Sequence, residues 1–185
     1  SLIRCLNINL LVVTMEVADA IELRRSVRSY TDHELSEETI NLILHAGHMA
    51  PSAGNLQGRD FIIVQDSTMK GMLCNAALNQ AFIMQAPVCI VVCANIRRTA
   101  TRYGKRAELY AVQDSAASVM NMMLMAQDLG LGTCWVGAFN EQVVSELLDI
   151  PQGVRPVALL PIGYPEESHE APPRMGKSTE HQGKW

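Results

Sequence analysis

A chain of 185 residues, nearly half of them apolar, is long enough for one ordinary domain with a buried core. Its formal net charge of −4 excludes the broad basic face that binding to a phosphate backbone requires, so no nucleic-acid partner is expected. No apolar run is long enough to cross a bilayer, so no membrane partner is expected either.

Residues 1–14 begin with a brief apolar stretch that is interrupted by Asn7 and Asn9, lacks a small-residue cleavage site and ends at Met15. They read as an upstream extension that is not native, with Met15 as the natural start; if ordered, they could add an edge strand. Residues 17–25 are expected to form a short amphipathic helix with Ala18, Ala20 and Ile21 on its apolar side. It runs into R-R-S-V-R at residues 24–28. Three guanidinium groups and a hydroxyl in five residues exceed what a helix end needs, and this reads as an anion socket.

Ser36 is a good N-cap for a second helix, with Glu37 and Glu38 in its first turn and Ile40, Ile43 and Leu44 on one face. The run A-P-S-A-G-N-L-Q follows at residues 50–57. Its proline restrains the chain, Gly54 permits positive φ, and short polar side chains stand beside accessible backbone N–H groups. It reads as a loop that a flat polar ligand can approach closely.

Residues 61–64 and 88–93 are β-rich apolar runs expected as buried strands, with a helix between them over residues 67–78. Residues 97–110 carry five basic residues with Tyr103 and Gly104. They are open to two readings, a lid or channel wall over a ligand and a solvated charged helix. Residues 110–129 form the longest expected helix, apolar over nearly its whole circumference and therefore in need of cover on several sides. Its one polar stripe, Asp114, Ser118 and Asn121, is expected to make internal hydrogen bonds.

Next come L-G-L-G-T-C-W-V-G-A-F at residues 129–139, strand-like over 133–136, a helix over 141–148 capped by Asn140, and a last apolar strand over 155–162. No strand leads into G-x-G-x-x-G, so neither a Rossmann turn nor a doubly wound sheet is expected. The five scattered cysteines read as buried free thiols, consistent with a reducing cytoplasm. His45 and His48 stand one helical turn apart without a third ligand, so no metal is assigned. Residues 164–185 shift to Pro, Glu, Ser, His and Lys and cannot form a core, leaving a tail either disordered or wrapped on something.

Taken in order and spacing, R-R-S-V-R, A-P-S-A-G-N-L-Q and L-G-L-G-T-C-W-V-G-A-F resemble the FMN-dependent nitroreductase family from about Met15 to the end of the chain. The resemblance implies an α+β fold, a mixed and largely antiparallel sheet flanked by helices, in an obligate homodimer. Residues 15–163 would be the FMN-binding domain and residues 164–185 an extension reaching across to the partner. It further implies FMN at the dimer interface: Arg24, Arg25, Ser26 and Arg28 on its phosphate, ribityl chain and pyrimidine; Pro51, Ser52, Ala53 and Asn55 from the second subunit; and Asn79 and Gln80 at the pyrimidine edge. Trp135, Val136, Gly137 and Ala138 would cover one ring face, with the Gly137 N–H at the reactive nitrogen, and Arg174 would join the phosphate, with Lys177 as the tail's other basic candidate.

The implied activity is transfer of hydride from NAD(P)H to a small electron-poor acceptor, a nitroaromatic, quinone or flavin, with ping-pong kinetics and no catalytic side chain. Two alternatives stay open. One is specialised flavin chemistry on the same fold, such as dehalogenation, flavin fragmentation or azoline oxidation. The other is a flavin-binding dimer without enzymatic turnover.

Overall fold

The structure, a computed structural model, describes residues 15–167, 170, 172–174 and 179–183; the expectations for residues 1–14 and for Lys177 lie outside them. Four strands, β1 (Arg59–Val64), β2 (Val88–Asn95), β3 (Gly132–Thr133) and β4 (Val154–Gly163), form one sheet in the order β1-β2-β4-β3. Every pairing among them is antiparallel, and a single parallel bridge, Ser26 to Thr133, extends the β3 edge. Among the described residues seven α-helices flank the sheet: α1 (Val17–Leu23), α2 (Glu37–His48), α3 (Ser67–Ala76), α4 (Phe82–Gln85), α5 (Ile96–Tyr103), α6 (Ala107–Asp128) and α7 (Glu141–Leu147). This is the expected α+β arrangement.

Local chemistry explains most of the boundaries. Ser36, Asp66, Asn95 and Asn140 each accept a backbone N–H of the first turn that follows them, so α2, α3, α5 and α7 all begin on a side-chain cap. Gly130, at φ 73°, ends the α6 region by turning the chain back toward the sheet. Strand β2 lies in the middle, with all eight residues buried. On one side Val88, Ile90 and Val92 meet Ile43, Val119 and Met122, and on the other Cys89, Val91 and Cys93 meet Leu73, Ile83 and Val144. Successive β2 side chains thus supply two separate cores, as the alternation of a strand requires.

Two expectations need correction, and one element was not foreseen. β1 begins two residues before Phe61 and is an edge strand paired only with β2, which leaves Ile63 42% exposed instead of buried. Of the apolar side expected for α1, only Ala20 is buried; Ala18 and Ile21 are exposed, because a seven-residue helix lying on α6 covers one narrow stripe. The short α4 lay hidden in a segment too brief for periodicity to register. Lys70 holds its C-terminal end, donating to the carbonyls of Ala86 and Pro87 at 2.6 and 3.3 Å.

The cysteines at 74, 89, 93 and 134 are free and buried, as expected, and Cys5 lies outside the described residues. Burial pushes the Cys89 and Cys93 thiols up to about 12. A thiol reagent at neutral pH should therefore leave both unmodified in the native protein and modify both once it is unfolded. Labelling mapped by mass spectrometry checks this, and rapid native labelling at either site would contradict the packing described.

Candidate functional site

The first cluster forms where the chain leaves α1. Past Leu23 the backbone becomes extended, Ser26 bridges to Thr133, and the Val27 N–H donates to the Thr133 carbonyl at 2.9 Å. R-R-S-V-R is thereby zipped onto T-C-W-V-G-A. Gly132 permits the contact, since a Cβ there would sit 2.7 to 2.9 Å from three atoms of the Val27 side chain. Tyr30 locks the far end through its hydroxyl, which donates to the Val27 carbonyl at 2.8 Å. Residues 164–166 then run back along residues 29–31 of the same chain, with the Thr31 and Glu166 N–H groups donating to Tyr164 and Ser29 carbonyls and the Ser29 hydroxyl donating to Glu166.

The electrostatics of this cluster are unbalanced. Burial lowers the pKa of Arg24, and the nearby cations Arg174 and Arg25 lower it further. Arg25 donates through Nη1 to the carbonyls of Glu22 and Arg24, while its Nε is buried with no hydrogen-bond partner. Arg28 is exposed and faces the buried Cys134, which also feels Arg24. Among the described residues no carboxylate pairs with Arg24, Arg25, Arg28 or Arg174. Converging cations with a buried unpaired N–H are an arrangement that an anion completes.

Beside them Val136 is held to Leu159 by reciprocal backbone hydrogen bonds, Trp135 is 37% exposed, and Gly137 and Ala138 are exposed. Nothing lies within 4 Å of where a Gly137 Cβ would stand, so this strand end is open to a ligand face. Leu78 and Asn79 both sit at φ 59°, a tight reversal that brings Gln80 against the strand end. Its Nε2 donates to the carbonyls of Ala77 and Ala138 at 2.9 and 3.2 Å, which leaves Oε1 to meet a donor. Asn79 is exposed.

The second cluster is the loop at residues 50–57. Ser52 Oγ accepts the Gln57 N–H at 2.9 Å, and Gly54, Asn55 and Gln57 take φ values of 55°, 55° and 51°. Asp114, buried on α6, accepts the Ala53 N–H at 2.9 Å and the Gly58 N–H at 3.3 Å and so pins both ends of the turn. Ser118 donates back to the Asp114 carbonyl and Asn121 to Ala46, so the polar stripe of α6 makes the internal bonds expected of it. The structural anchoring of the loop by Asp114 was not visible from the spacing alone. Arg59 was missed too: it is buried, and its Nη2 donates to the carbonyls of His48 and Ala50, closing the end of α2 beneath the loop.

Pro51, Gly54 and Asn55 are exposed, with Ser52 and Ala53 half-buried. The loop is anchored on α6 at Asp114, and α1, which leads into the arginine cluster, docks at the other end of that helix, at Asp128. Fourteen residues separate Asp114 from Asp128, where the Met15 N–H docks α1, and at the helical rise that is about 21 Å. Among the described residues no hydrogen bond or ion pair joins the two clusters. Residues 97–110 resolve as α5, a 3-10 turn at Gly104–Arg106 and the first turn of α6; the only buried residue of α5 is Thr99, and its Tyr103 stands against Gly54.

Comparison with known proteins adds the following. The sequence model of the Nitroreductase family matches residues 21–164. The chain is similar to the FMN reductase (NAD(P)H) of Bacillus subtilis strain 168, 33% identical over 174 residues that cover 86% of this chain and 70% of the relative. Among solved structures it is similar to the NADPH:FMN oxidoreductase from Vibrio harveyi complexed with NAD+, at a TM-score of 0.85 and 27% identity over 91% of this chain and 77% of that one. It is also similar to NfrA2 of B. megaterium, at a TM-score of 0.86 and 31% identity over 92% of this chain and 75% of that one.

Proposed function

The chain belongs to the nitroreductase family, and from that premise we propose that it is an FMN-dependent oxidoreductase that takes hydride from NAD(P)H and passes it to an electron-poor small molecule such as a nitroaromatic, a quinone or a flavin. The observation that carries this reading is the carboxylate-free convergence of Arg24, Arg25 and Arg174, with the Arg25 Nε buried and unpaired, beside the open strand end at Gly137. These residues fit FMN. A phosphate answers the cations, and a flat ring answers an exposed strand end with no side chain in the way.

When bound, FMN supplies the capacity to accept hydride from a reduced nicotinamide and to release it to an acceptor. The chain's own contribution is position and charge. Arg24, Arg25 and Arg174 hold the phosphate, and Ser26 and Arg28 line the path from it, with Arg28 setting a positive charge beside the pyrimidine edge. Gln80 Oε1, with Asn79 beside it, offers an acceptor to the same edge. Residues 135–138 cover one face. No general acid or base is assigned; the Cys134 thiol beside the cluster is buried, and burial raises its pKa.

The loop is anchored at Asp114 and α1, which leads into the arginine cluster, docks at Asp128, about 21 Å along the same helix, and this supports Pro51, Ser52, Ala53 and Asn55 reaching the flavin of a second copy. The apolar surface left uncovered supports that homodimer: Val17 is 70% exposed, Ile21 58%, Leu109 49% and Met120 40%. Up to Arg174 the extension stays with its own chain, against residues 29–31 and beside Arg24, so its reach onto the partner begins after Arg174. Buried free thiols suit a reducing cytoplasm, and among the described residues no helix is long and apolar enough to cross a membrane.

Purified protein is expected to be yellow and to release FMN, not FAD, on denaturation, at one per chain. A colourless protein that takes up no FMN on reconstitution would overturn the assignment.

A further inference from the structure

Beside the loop at residues 50–57 stands a group of side chains that FMN binding does not use. The rings of Tyr103 and Tyr110 pack edge to face, with centroids 5.0 Å apart and planes at 89°. Arg102 lies over the Tyr103 ring, its Cζ 5.7 Å from the centroid, and Arg106 over the Tyr110 ring at 5.2 Å. Arg106 also donates from Nε to the Tyr110 hydroxyl at 2.8 Å, which helps to fix its plane and leaves both terminal nitrogens without a hydrogen bond among the described residues. Stacking on an aromatic face orients a guanidinium without neutralising it.

Two other arginines of this region, Arg98 and Arg155, behave differently. Arg98 is consumed by Asp60 at 2.7 Å and by the Gln57 and Arg59 carbonyls, and Arg155 by Glu141 and Glu108. Among the described residues Arg102 and Arg106 have no carboxylate partner. Their pair is also coupled to the loop. A Cβ on Gly54 would stand 2.6 Å from the Tyr103 hydroxyl and 2.9 Å from Arg102 Nη1, so the left-handed glycine is what lets Arg102 and Tyr103 close onto the loop.

We propose that Arg102 and Arg106 form a preoriented clamp for an anionic group on the substrate that enters beside the loop, foremost a phosphomonoester such as the 2′-phosphate that distinguishes NADPH from NADH. The placement of this clamp next to a reaction site rests on the proposed function, in which residues 51–55 reach the flavin of the partner. A strongly acidic acceptor, such as a sulfonated quinone, presents the same chemistry from the other substrate. Two planar forks on one rigid aromatic pair suit a group with several anionic oxygens better than a single charge would.

The test uses FMN-loaded parent protein, Arg102→Gln, Arg106→Gln and the double variant, with Lys105→Gln removing an equal charge from the same 3-10 turn without a stacked guanidinium. Calorimetric titration with NADP+ and NAD+ reads binding without turnover, and kcat/KM is measured for NADPH and NADH and for sulfonated and neutral quinones. The NADP+ to NAD+ affinity ratio is expected to fall about tenfold in each single arginine variant, further in the double variant and less than twofold in Lys105→Gln. A ratio unchanged for the nucleotides but lowered tenfold for sulfonated against neutral quinone would keep the clamp and assign it to the acceptor. Unchanged ratios in both arms, or an equal fall in Lys105→Gln, would overturn it. A parent protein that binds no FMN would instead contradict the proposed function, and the NADP+ titration would still decide the clamp.

Discussion

Arg24→Gln is expected to weaken FMN binding roughly ten- to hundredfold while leaving the apoprotein at least as stable as the parent. The first half follows from removing a desolvated, charge-assisted contact to a phosphate, worth about 1.5 to 3 kcal/mol. The second half follows from the cluster itself. In the free chain Arg24 is held against burial and against Arg174 and Arg25, so its charge is disfavoured there and its loss relieves repulsion. A structural arginine would behave in the opposite way, with stability falling and affinity unmoved. Equilibrium titration with FMN and thermal denaturation of the apoprotein separate the two, and a destabilised apoprotein with parental affinity would remove Arg24 from the site.

The largest loss of stability is expected at Asp114. Its carboxylate accepts two backbone N–H groups from opposite ends of the loop and is the opposite charge felt by the buried Arg59. Asp114→Ala strips both acceptors and is expected to cost about 3 to 4 kcal/mol, from two charge-assisted hydrogen bonds at about 1.5 to 3 kcal/mol each with partial relaxation. Asp114→Asn keeps one acceptor but turns an amide N–H toward the second backbone N–H, so its loss should fall between parent and alanine. A merely structural role would lower stability alone. The positioning role adds rapid hydrogen exchange at the Ala53 and Gly58 amides and a weaker grip on FMN in the dimer, measured by exchange and by titration. Protection at both amides with a loss under about 0.5 kcal/mol would refute it.

What could be read from the chain depended on how local the physics was. Ser36 and Asn140 announce their helices because a cap and its N–H groups lie within three residues. The central β2 and the long α6 show because apolar runs leave them no other place. The exposure of Ile63 was hidden, since a strand's rank in the sheet depends on which partners close on it and not on its own residues. The meeting of Ser26 with Thr133 spans more than a hundred residues, and no local pattern announces it. Gly54 looked like a residue chosen for its φ. Its φ is indeed positive, yet its missing Cβ matters as much for admitting Tyr103 and Arg102 from an element fifty residues away. Asp114 appeared as part of a polar stripe, and only the fold shows that the stripe anchors the loop.

Anaerobic reduction followed by reoxidation tests the central claim most directly. Yellow protein is titrated with NADPH or NADH without oxygen, freed of nucleotide, and then mixed with a quinone or a nitroaromatic. The account predicts that the visible flavin absorbance bleaches stoichiometrically with the nucleotide and returns stoichiometrically with the acceptor, each half proceeding in the absence of the other substrate. A protein that holds FMN but is bleached by neither nucleotide would contradict an oxidoreductase and leave a flavin-binding dimer in its place.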